Sequence, residues 1–136
     1  MPNMASLTVK KADEVTNITY DALTGAAGDG SLAVWRQDTG AAGGMPVGHR
    51  ATLTMGTVFN GPRTARRATI IFKRPYTTQN TVTSKYETKD SVVARLELTM
   101  PLAIPATDIN EGVYQFLNCV AAALIKQSVA AGYAPQ

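Results

Sequence analysis

Apolar and polar positions alternate most cleanly in two stretches of the chain. In the first, Arg50, Thr52 and Thr54 fall on one face, with Ala51, Leu53 and Met55 on the other. In the second, Ala94, Leu96, Leu98 and Met100 oppose Val93, Arg95, Glu97 and Thr99. Period-two alternation of this length predicts half-buried strands. Ala68 to Arg74 is a further β-rich run, and the turn dipeptide Asn60-Gly61 precedes it. His49 to Pro75 therefore reads as a hairpin with a basic tip. Upstream, Ser31 to Gln37 places Ala33 and Trp35 on one face and Leu32, Val34 and Arg36 on the other. Ser6 to Lys10 and Val15 to Asp21 read as an N-terminal hairpin turning around Ala12, Asp13 and Glu14. A brief strand is expected at Met45 to Val47.

Beyond Pro105 the period changes. Ile109, Val113, Phe116, Leu117, Val120, Leu124 and Ile125 form one stripe of a helix. Running from Asp108 to Gln127, it would be about 30 Å long. Thr107 or Asp108 can cap it, and Asp108 with Glu111 has capping-box spacing. Val129 to Gln136 reads equally as an extra turn or as a second helix. Tyr76 to Ser91 reads as a long polar connection, of the kind that usually carries function.

Strands first and a helix last predict one α+β domain, residues 1–136, with an antiparallel sheet. Five strands span about 24 Å, whereas a helix is about 10–12 Å across. One helix cannot cover an apolar face made of Ala33, Trp35, Leu53, Met55, Ile70, Phe72, Leu96 and Leu98. Exposed apolar area of that size marks an interface. A symmetric dimer that exchanges helices across a shared sheet would cover it.

Charge sharpens the picture of the opposite face. The chain is only +3 overall, but Thr39 to Tyr86 contains no Asp or Glu and seven Lys or Arg residues. Segregation of this kind points to a polyanionic partner. The polar face would present Arg50, Thr52, Thr54, Thr69, Ile71, Lys73, Arg95, Glu97 and Thr99, suited to RNA phosphates with hydroxyls near bases and sugars. Other chemistry finds little footing. Neither glycine-rich loop, Thr24 to Gly30 or Thr39 to Gly44, continues into Gly-Lys-Ser/Thr, so no phosphate cradle is expected. The lone His49 and the lone Cys119, expected to be buried in the helix, form no catalytic or metal-ligand spacing, so neither an enzyme nor a cofactor is expected. No run is long enough to span a bilayer, and the N-terminus lacks a secretory h-region. A soluble protein made in the cytoplasm is the expectation.

These stretches resemble the coat proteins of single-stranded RNA bacteriophages, the leviviruses. The resemblance rests on Ala33, Val34 and Trp35, on Arg50 to Met55, on the tip through Arg66 and Arg67, and on Thr69 to Pro75. Most telling is Leu96, Glu97, Leu98, Thr99, Met100 and Pro101 leading through Ala106 to Asp108 into an amphipathic helix. It covers Ser6 to Lys126 in one order of elements. It implies an N-terminal hairpin, a five-stranded antiparallel sheet, and a C-terminal helix or two interlocking with a partner in a homodimer. It implies an icosahedral shell, usually of triangulation number three, assembled in a bacterial host's cytoplasm and forming the virion around genomic RNA. Characterised members also repress translation by gripping an RNA hairpin. Carried over by position, the RNA-facing residues would be Leu32, Arg50, Thr52, Thr54, Thr69, Lys73, Arg95 and Glu97. Three positions depart from such members: Ile71 for a lysine, Gly56 for a residue often basic, and Val93 for a tyrosine. The alternative is a non-viral dimeric RNA-binding module that builds no shell.

Overall fold

A computed structural model describes residues 2–136, which form six strands and then two helices. The strands are β1 (Leu7–Lys10), β2 (Asn17–Thr24), β3 (Leu32–Arg36), β4 (Thr52–Phe59), β5 (Ala65–Gln79) and β6 (Tyr86–Pro101). They make one sheet in which each strand lies beside its neighbours in sequence. The pairings from β1 to β5 are antiparallel. The N-terminal hairpin thus joins the main sheet through β2, giving six strands rather than a hairpin beside five.

Register assigns the two faces. Leu53 pairs with Trp35 and Phe72, and Met55 pairs with Ala33 and Ile70. On the other face Thr52 pairs with Arg36 and Lys73, Thr54 with Val34 and Ile71, and Gly56 with Leu32 and Thr69. Directly opposed residues share a face, so a one-residue slip would exchange the two sets. On the apolar side the buried Tyr20 ring lies 6.1 Å from Phe72 at an interplanar angle of 60°, a tilted arrangement that aromatic quadrupoles favour. Burial pushes the Tyr20 hydroxyl above its usual range, while Arg74 and a hydrogen bond with Gln37 pull the other way. The Trp35 indole donates to the Ala5 carbonyl at 2.8 Å and ties down the N-terminal segment. Yet among the described residues no large side chain is fully buried.

Three hairpin tips bend through a non-glycine residue at positive φ: Glu14 (56°), Arg63 (55°) and Ser84 (56°). A side-chain oxygen stabilises each bend. Asp13 accepts from the backbone of Val15 and Thr16 and from the Thr16 hydroxyl, which holds its carboxyl below the usual range. Asn60 accepts from Thr64 and Ala65, and Asn80 accepts from Val82 and Thr83. The third tip corrects the reading of Tyr76 to Ser91 as a connection. β5 and β6 run through most of it, and only Asn80 to Lys85 turns, closed by the Asn80 N–H on the Lys85 carbonyl at 2.8 Å.

Other boundaries also move. Met45–Val47 forms no strand; two 3-10 turns, Gly40–Gly44 and Val47–His49, occupy this region. The predicted single helix is two, α1 (Ala106–Ala121) and α2 (Ala123–Ala131), separated by the extended Ala122. Pro105 stands at the N-cap of α1, and no side-chain cap bond forms. The expected capping box is absent: Asp108 lies inside the first turn, and Glu111 accepts from Gln115 instead. α2 ends at the left-handed Gly132 (φ 80°), where Gly132 and Tyr133 donate to Val129 and Ser128, a Schellman closure. Cys119 is exposed, not buried. The chain divides into two compact units, one ending at Thr99 and the other Met100–Gln136.

Candidate nucleic-acid interface

Strand alternation places Leu32, Thr52, Thr54, Thr69 and Lys73 together on the polar face of β3, β4 and β5. β6 adds Arg95 and Glu97 to that face through an ion pair between Arg67 on β5 and Glu97. Seven of the eight predicted site residues are therefore brought together. Arg50 is the different case. It precedes β4, capping the second 3-10 turn rather than lying within a strand.

The Arg50 guanidinium is also occupied. It donates to Asp38 at 2.7 Å and to the carbonyls of Met45 and Gly43. Asp38 receives Arg36 as well, in a two-pronged pair at 2.6 and 2.9 Å. The hydrogen bond from Arg36, with that from Arg50, lowers the Asp38 carboxyl to about 2 and raises Arg36 in return. Asp21 accepts from the Asp38 N–H and so orients the segment. This partly buried Arg36–Asp38–Arg50 cluster braces the glycine-rich turn beside the sheet. It leaves Arg50 few donors for a ligand.

A second carboxylate bridges two arginines at the far side of the face. Glu97 pairs with the Nε of Arg67 at 2.9 Å and with an Nη of Arg95 at 3.5 Å. All three side chains are exposed, at 51%, 64% and 38% for Arg67, Arg95 and Glu97. Lys73, also exposed, makes no ion pair among the described residues.

The middle of the face is apolar. Leu32 and Ile71 are exposed there, and Gly56 lies beneath Leu32. A Cβ at Gly56 would come within 2.7 Å of the Leu32 Cδ2, so glycine lets Leu32 lie across the strand. The basic tip splits between faces. Arg67 joins the polar one, while Arg66 pairs with Asp29 at 2.6 Å and sits 4.6 Å from the Phe59 ring centroid on the other. Sequence reading missed Arg36, Asp38 and Arg67 as members of these clusters. Alternation shows which residues share a face but not which charges meet across it. No group of His, Cys, Asp and Glu suited to a metal occurs among the described residues.

No family model matches the chain, and no curated protein does. Solved structures do. A virus-like particle of Beihai levi-like virus 21 superposes at a TM-score of 0.76 with 13% identity, covering 99% of this chain and 98% of that one. A virus-like particle of bacteriophage NT-214 gives 0.77 and 12%, covering 99% and 100%. The fold is that of a levivirus coat protein. The bacteriophage GA capsid protein has it too, at a TM-score of 0.70 and 15% identity over 96% and 95% of the two chains. Identity this low leaves the coat-protein fold, and not a shared set of site residues, as what the chains have in common.

Proposed function

We propose that the protein is the coat protein of a single-stranded RNA bacteriophage. In this reading it dimerises, assembles into an icosahedral shell in the bacterial cytoplasm, and packages the genome against its polar sheet face. The observation that carries this is the full-length likeness, in both directions, to chains solved as virus-like particles. It favours a shell protein over a free RNA-binding module and over an enzyme.

Dimerisation has separate physical support. Phe116, Leu117, Val120 and Leu124 are exposed on the helices, neither of which buries a residue. A partner covering the helix stripe and the apolar sheet face would supply the interior, since among the described residues no large side chain is fully buried. The polar face then stays free for RNA, with Leu32, Thr52, Thr54, Thr69, Lys73 and Arg95 in contact with it. Translational repression through an RNA hairpin is a further role of this same face.

Expression of the chain alone tests the reading. Negative-stain microscopy and sedimentation should find shells, and nuclease-resistant RNA should co-purify with them. Dimers that never assemble, across a range of salt and added RNA, would overturn it.

A further inference from the structure

Two arginine–carboxylate–arginine clusters, one beside the polar face and one on it, have opposite surroundings. In the Asp38 cluster the paired side chains are only 15–25% exposed, and backbone carbonyls complete the Arg50 contacts. Such a cluster braces the chain. The Glu97 cluster has none of that support. Exposed ion pairs contribute about 0–1 kcal/mol, and the Arg95 contact is long at 3.5 Å. Stability is therefore a weak reason for Glu97 to stand between two arginines.

Its position has a clearer electrostatic consequence. Resting on the reading of this face as an RNA surface, we infer that Glu97 is an internal competitor for phosphate. Its carboxylate lies against one nitrogen each of Arg67 and Arg95, the two cations that a strand of RNA crossing β5 and β6 would engage. A carboxylate presents two oxygens to guanidinium groups, as a phosphate does. RNA therefore meets two guanidinium groups whose positive charge Glu97 already offsets in part, although each keeps other N–H donors exposed. The unpaired Lys73 makes the first, non-competed contact. The effect is to hold affinity for RNA down: one dimer face contributes two unpaired lysines and four arginines engaged by two glutamates. Glu97 stands among the residues carried over as RNA contacts, and its geometry gives it the opposing part.

The test measures binding of a fluorescein-labelled polyuridine of about 20 nucleotides to the full-length chain stripped of RNA, by anisotropy over a salt series. Glu97→Gln should bind at least threefold tighter at moderate salt. Its affinity should fall more steeply with salt, by about 0.7 in the log–log slope for each freed arginine. Glu87→Gln removes the same charge from the same strand, where no ion pair to these arginines exists, and should change affinity less than twofold. Lys73→Ala should weaken binding. If Lys73→Ala weakens binding while Glu97→Gln leaves it unchanged or weaker, the competitor role is wrong and the RNA face stands. Equal gains in the Glu97 and Glu87 variants reduce the effect to net charge and also overturn it. If neither Lys73→Ala nor Glu97→Gln alters binding, RNA lies elsewhere and the reading of the face fails with it.

Discussion

Replacing Asp38 with Asn probes the brace beside the polar face. The two arginines lower its carboxyl from 3.8 to about 2, and each pH unit of such lowering is worth about 1.4 kcal/mol. The cluster therefore contributes about 2 kcal/mol at neutral pH. Because the folded value lies below the unfolded one, this contribution is present above about pH 4 and disappears as pH falls through 2. About 1 kcal/mol should remain near pH 3, and under about 0.5 near pH 2. Urea melts of wild type and Asp38→Asn at fixed chain concentration measure the difference directly. With a slope of about 1–3 kcal/mol/M, the midpoint should drop by about 1 M at pH 6. The two curves should converge at pH 2. A gap below about 0.5 kcal/mol at pH 6, or one that persists unchanged at pH 2, would refute the brace.

Two further substitutions test other parts of the structure. Ser84 turns the β5–β6 tip at a φ of 56°, and a β-branched side chain fits that conformation worst, so Ser84→Val should cost about 1–2 kcal/mol while Ser84→Gly costs nothing. The same melts check the order, and a Val variant as stable as wild type would place the tip in another conformation. Leu117→Glu puts a charge on the exposed helix stripe, and analytical ultracentrifugation should find it monomeric or insoluble. A soluble variant that still forms dimers would remove α1 from the interface.

Faces were easier to read than boundaries. The period-two pattern of Leu53, Met55, Ile70 and Phe72 places these side chains together, and the observed register agrees. The long β5–β6 hairpin escaped notice because Thr77, Thr78, Glu87 and Thr88 carry no apolar signal. Threonine favours strands, but only the pairing itself shows that these residues extend one; the Thr77 and Thr88 hydroxyls meet at 3.1 Å. Alternation carried Arg50 into a strand, while its actual environment depends on Asp38, twelve residues away. The same limit hid Arg67 and Arg95 around Glu97. No residue among Ala121, Ala122 and Ala123 explains the helix break, since alanine is the strongest helix former. At the start of α1, Pro105 suits a helix entrance better than the capping box did, because its missing N–H costs nothing there.

If the proposed dimer supplies the interior, the want of a fully buried large side chain among the described residues makes the number of copies a folding variable. When association supplies the interior, the folded fraction follows mass action. Chains synthesised at low level would stay open to proteases, and those made in quantity would protect one another. Removal of the surplus would then require no dedicated control: dilution alone would return unassembled chains to the unfolded pool.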